Sequence, residues 1–173
     1  MVYLDALLFA VIAICAITDV RDRKIYNKII FPALILTFLL QAVLFGLDGF
    51  LASLAGFGTG FAILIIPYLV GGMGAGDVKL LAVVGAIKGV VFVLVAAVYM
   101  ALIGGFIALA ILVIRKGAFH RLKYLFYSIL SRSQGLSIPM HMKGTAMQGT
   151  IPYGIAISGG VLCSFFLKGL EFQ

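Results

Sequence analysis

The chain has 173 residues, 64% of them hydrophobic and only 11% charged, with a mean hydropathy of +1.22. A soluble globular domain is about half apolar and about one-quarter charged, so that class is excluded and an integral membrane protein is indicated. The net charge of +7 does not point to nucleic acid, because there is no Trp, no basic stretch interleaved with aromatics and no recognised binding motif; membrane topology accounts for it better.

Each span needs about 20 apolar residues, so the length fits one compact bundle, and residues 1–173 are read as a single integral membrane domain. Apolar runs bounded by charge or glycine place spans at residues 3–18, 29–46, 51–71, 78–88, 90–114 and 149–168, which predicts an all-α polytopic protein with six transmembrane helices. The fourth is too short to cross a core of ~30 Å. Either it starts within the membrane at the glycine loop before it, or its boundary with the fifth, at Lys88 and Gly89, lies a few residues later.

The opening stretch MVYLDALLFAVIAICAIT lacks the basic head of a signal peptide and is read as an uncleaved first span. Cys15 and Cys163 both fall in apolar runs, without any CxxC, and are read as small core hydrophobes. Gly56 and Gly60 form a GxxxG suited to helix packing in the third span, and Pro67 is expected to kink that span.

The basic residues set the predicted orientation. Arg21, Arg23, Lys24 and Lys28 follow the first span, and Arg115, Lys116, Arg121, Lys123, Arg132 and Lys143 lie between the fifth and sixth, which assigns both connections to the cytoplasm. Both termini are then outside, as is the short connection around Asp48, and the glycine loop after the third span is cytoplasmic. Residues 117–133 place Phe119, Leu122, Leu125, Phe126, Ile129 and Leu130 at helical spacing among basic residues, the pattern of an amphipathic helix on the cytoplasmic membrane surface in contact with lipid. Residues 134–148 read as a loop.

Of the chain's 6 acids, Asp5, Asp48 and Glu171 face out by this topology, and Asp19, Asp22 and Asp77 lie at the inner face. Asp77 follows Gly71, Gly72, Gly74 and Gly76. Irregular backbone at membrane depth persists only inside protein or along a wet cavity, and a carboxylate there is costly unless paired or hydrated. Asp77 could be merely the N-cap of the fourth span, and Asp19 merely a boundary acid neutralised by Arg21, Arg23 or Lys24. Gly71 and Gly76 have the spacing of a phosphate-binding loop, but Asp77 stands where that motif needs Lys, so a nucleotide cradle is excluded. His120 and His141 have no carboxylate or thiol at ligand spacing, and no metal or other cofactor is expected. Lys79 is read as an interfacial or counter-ion residue.

Two carboxylates facing one another cannot both ionise cheaply, so one retains a proton. Such a pair can activate a water and protonate a peptide carbonyl without metal or covalent intermediate. Asp19 and Asp77, each at the lip of a span on one membrane face, are the candidates.

These residues also carry a resemblance. Gly74-Ala75-Gly76-Asp77, within GMGAGD, resembles the GxGD signature of intramembrane aspartic proteases. Asp19 to Asn27, DVRDRKIYN, resembles the D-x-x-x-x-x-I-P-N element of type IV prepilin peptidases, with Tyr26 in place of the usual proline. IPYGIAISGG at the start of the last span is similar to the I-P-Y-x-x-A-I pattern of the small, methylase-less branch that serves tight-adherence (Flp) pili. The resemblance implies an aspartic endopeptidase of the inner membrane. Asp19 and Asp77 would be catalytic, Gly74 and Gly76 the motif glycines, and the partner a prepilin with a basic leader and an apolar helix. Cleavage without N-methylation is expected, and Asp22 is a candidate contact for a basic leader residue. A preflagellin peptidase shares both motifs. The rival from another class is a small proton-coupled transporter, which would ordinarily show internal repeats that this chain lacks.

Overall fold

The computed structural model describes residues 2–22, 24–114 and 153–170, and the side chains of all of these except 111–114 and 167–170. Apart from the connections 24–26, 70–74 and 89, the described residues are helical, with no strand: α1 is Val2–Asp22, α2 Asn27–Leu69, α3 Ala75–Lys88, α4 Val90–Ile114 and α5 Tyr153–Leu170. The amphipathic segment 117–133, the loop 134–148, His120, His141 and Glu171 lie outside the described residues. Contacts divide the chain into a unit of Met1–Gly104 with Pro152–Gln173, which contains both acids, and a second unit, Gly105–Ile151, whose described part is the end of α4.

Among the described residues, three helices are long and apolar enough to cross a membrane: α1, α2 and residues 90–110 of α4. α2 is 43 residues long, and its backbone leaves helical geometry only at Gly46 (φ 65°, ψ −151°). The side chains show what happens there. Phe38 and Phe57 bring their rings to 6.1 Å, whereas 19 residues of straight helix would separate them by roughly 28 Å. α2 therefore folds back at Gly46 into two arms, 27–45 and 47–69. A single glycine makes the reversal, where the sequence suggested a short loop around Asp48. That φ/ψ region is essentially restricted to glycine, which explains the residue. The backbone dihedrals stay helical through Pro67, where the sequence suggested a kink.

Both arms pack along α3. Gly56 and Gly60 bury their bare faces on the backbone of α3: a Cβ at Gly60 would stand 2.5 Å from Leu81 O, and Gly56 and Gly85 abut one another. The GxxxG is thus a helix-packing seam, as its spacing predicts. Every residue of α3 from Leu80 to Ile87 is buried, as are Asp77 and Val78. Such a helix has no lipid-facing stripe; it is the core around which the unit is built. Cys15 is fully buried, as expected, whereas Cys163 faces outward on α5, and both are free thiols.

The far end of α3 is closed by its neighbours. Ser53 Oγ donates to Ala86 O at 2.7 Å and Gln41 Nε2 to Ile87 O at 3.1 Å, satisfying carbonyls that a helix end leaves without partners. Lys88 forms an ion pair with Asp5 and lies 4.1 Å from the centroid of the Phe165 ring. A cavity of about 170 Å³ opens there, lined in part by Asp5, Gln41, Ser53 and Lys88. Gly89 (φ 86°) then turns the chain into α4, at the boundary marked in the sequence.

Candidate functional site

The opposite end of α3 holds the acids singled out in the sequence. The glycine loop runs Val70–Gly74, and α3 begins at Ala75 with Gly74 as its N-cap. Asp77 is thus the third residue of the helix, not its cap. Its carboxylate reaches back to accept the Gly74 N–H at 3.1 Å, half of a capping box, and it is only 8% exposed. Asp77 stands ahead of the apolar run 78–88 and outside the helices long enough to cross a membrane. Burial pushes its carboxyl above the usual carboxylate range; the Gly74 N–H opposes this, and the charge of Asp19 adds to the upward push.

Asp19 occupies the last turn of α1 and is 7% exposed. Its Oδ2 accepts the backbone N–H of Gly154, in the first turn of α5, at 2.8 Å. Among the described residues no basic side chain forms an ion pair with it, so it is not the neutralised boundary acid that its sequence neighbours allowed. The two carboxylates belong to different helices, are both buried, and are close enough for Asp19 to act electrostatically on Asp77.

The segment between α1 and α2 ties these elements together. A Cβ at Gly76 would stand 2.8 Å from Ile25 Cβ, so Ile25 occupies the space a larger residue would need. Three residues beyond Gly76, Lys79 Nζ donates to Asn27 Oδ1 at 2.9 Å and lies 5.5 Å from the Phe31 ring centroid. Lys79 therefore engages the connection rather than Asp77. The exposed Asp22 accepts the Tyr26 hydroxyl at 3.1 Å, which pushes that phenol up. Gly74 is exposed, while the bare face of Gly76 is taken by Ile25.

Asp19, Asp77, Gly74 and Gly76 thus cluster at one end of the bundle, and Asp22 lies at its margin. The contacts missed in the sequence are Gly154 with Asp19, Asn27 with Lys79, and Ile25 with Gly76. Each joins positions far apart in the chain, and only the recurrence of these residues within motif-like stretches hinted at them.

The fold defines an all-helical integral membrane protein with two buried acids at one end. Residues 6–109 match the type IV leader peptidase family, over more than half of the chain and including Asp19 and the glycine loop with Asp77; the chain belongs to that family. It is accordingly a peptidase, and its family implies a substrate of prepilin type. No curated protein and no solved structure matches it.

Proposed function

We propose that the protein is an aspartic endopeptidase of the plasma membrane that removes the basic leader from prepilin-like precursors, with Asp19 and Asp77 as its catalytic pair. The observation that supports this most is the burial of two of only 6 acids, from separate helices, within electrostatic reach of one another. A pair in that setting shares protons unequally.

We assign the shared proton to Asp77, because burial and the charge of Asp19 both raise its carboxyl. In the proposed reaction the Asp19 carboxylate takes a proton from water, the hydroxide oxygen bonds to the scissile carbonyl carbon, and Asp77 passes its proton to the carbonyl oxygen. The tetrahedral intermediate then collapses: the C–N bond breaks, the leaving amine takes the proton held by Asp19, and the carbonyl oxygen returns its proton to Asp77. No covalent enzyme intermediate is formed.

The basic residues after α1 and those of 115–143 favour a cytoplasmic position for this end, where the leader of a membrane-inserted precursor would lie, with six crossings in total if α2 crosses twice and α3 counts as the short fourth. The exposed Gly74 offers backbone to an extended substrate. Asp22, also exposed, is available to a basic leader residue. The motif at 151–160 favours a precursor of the Flp type. Residues 1–173 contain no CxxC, in keeping with cleavage without methylation in a single peptidase domain.

The test is incubation of the purified protein in detergent with a basic-leader prepilin, followed by its size shift. Cleavage is expected to vanish in Asp19→Asn and in Asp77→Asn and to persist in Asp22→Asn. Normal trimming by either of the first two overturns the catalytic pair, and an unaltered rate in Asp22→Asn removes the leader contact.

A further inference from the structure

We propose that Gly154 is a positioning residue for Asp19: the first turn of α5 holds the carboxylate in its working orientation, and this is why the position carries no side chain. The inference rests on the catalytic pair proposed above. It goes beyond it, because Gly154 lies outside the residues that match the family.

Three observations carry it. The Gly154 N–H donates to Asp19 Oδ2 at 2.8 Å, in a buried setting. A Cβ at Gly154 would stand 2.6 Å from that same Oδ2 and 3.0 Å from Asp19 Cβ and Cγ, so any other residue pushes the carboxylate away from the amide that holds it. The Gly154 carbonyl, in the next peptide unit, accepts the Ser158 hydroxyl at 2.7 Å, so the residue is tied on both sides.

A first-turn N–H has no partner within its own helix, and it belongs to the positive end of the helix dipole. Donated to Asp19 Oδ2, it immobilises the side chain and leaves Oδ1 for the proton transfer proposed above. Because α1 and α5 are the first and last described helices, this bond also makes the acid's orientation depend on the docking of α5. The residues facing Asp19 divide the work: Asp77 from α3 shares the chemistry, and Gly154 from α5 fixes the geometry.

The test compares Gly154→Ala with Gly160→Ala in the prepilin cleavage assay, with Asp19→Asn alongside. Gly160 is on the same helix and equally needs to be bare, since its Cβ would stand 2.6 Å from Ala96 O, but it does not touch the acid. For Gly154→Ala, kcat per folded molecule is expected to fall roughly ten- to a hundredfold with KM unchanged, the scale of a lost hydrogen bond to a charged group. For Gly160→Ala, the melting temperature falls and kcat per folded molecule is unchanged.

A parental kcat in folded Gly154→Ala overturns the inference, as does an equal fall in kcat in Gly160→Ala. Should Gly154→Ala not fold, replacement of Gly154 by glycolic acid removes only the N–H and adds no bulk; a parental kcat in that ester-linked protein also overturns it. Cleavage retained in Asp19→Asn sinks the catalytic pair itself, whereas its loss there with parental turnover in the Gly154 variants sinks only the positioning role.

Discussion

Ile25 rests on the bare face of Gly76, so the connection that follows the first acid is seated directly on the turn that carries the second. This contact gives the glycine of the GxGD element a packing reason. A methyl group at Gly76 would meet Ile25 Cβ at 2.8 Å, and a Cβ cannot swing aside as the tip of a long side chain can.

Gly76→Ala is therefore expected to lower stability by about 1–3 kcal/mol, the usual cost of overpacking, and to slow cleavage as the connection is displaced. Thermal unfolding and the prepilin assay measure the two effects. Combined with Ile25→Gly, the substitution should cost less than the sum of the two single changes, because the clash is shared. Strict additivity would show that the contact is unimportant.

Asp77→Asn separates function from stability. Burial raises the Asp77 carboxyl, so the folded state binds its proton more tightly than the unfolded chain does. Stability from this group is then greatest at low pH and declines as pH rises from the unfolded to the folded pKa. Asparagine removes that decline and can still accept the Gly74 N–H. At about pH 8 the variant should melt no lower than the parent while cleaving nothing, and at about pH 4 its relative advantage should shrink or reverse. Melting curves at both pH values check the sign.

Asn27 and Lys79 join the α1–α2 connection to α3 at 2.9 Å. A double-mutant cycle with Asn27→Ala and Lys79→Met should return a coupling of about 0.5–1.5 kcal/mol in stability, since the pair is partly exposed. Zero coupling would mean that the two residues act independently.

Gly46→Ala tests the reversal within α2. No atom lies within 4 Å of a Cβ built there, so the cost is purely that of forcing an L-residue into φ 65°, ψ −151°. A loss of about 1–3 kcal/mol is expected, with turnover per folded molecule unchanged. An unaltered melting temperature would show that the two arms do not need this turn.

The helical class, the boundary at Lys88 and Gly89, and the packing role of Gly56 and Gly60 were legible because hydropathy and small-residue spacing are local signals. So were Asp19 and Asp77, as acids where acids are costly. The break between the runs 29–46 and 51–71 was legible too; that a single residue, Gly46, makes it in place of a loop around Asp48 was not, since a lone glycine in an apolar run also fits a helix. That Asp77 lies three residues beyond the cap and not at it, the alternative its sequence left open, is a distinction set by backbone angles. Lys79 suggested a counter-ion, but its partner is 52 residues earlier in the chain. Gly154 was visible only as part of a motif, because its hydrogen bond to Asp19 spans 135 residues.

The enclosure of α3 bears on how the protein would tolerate different membranes. At 14 residues this helix measures roughly 21 Å, well short of an average hydrocarbon layer, and exposed to lipid it would drag the bilayer inward or tilt. Sheathed by protein, it feels no such mismatch. Thicker or thinner membranes strain the surrounding helices first and reach Asp77 only through them.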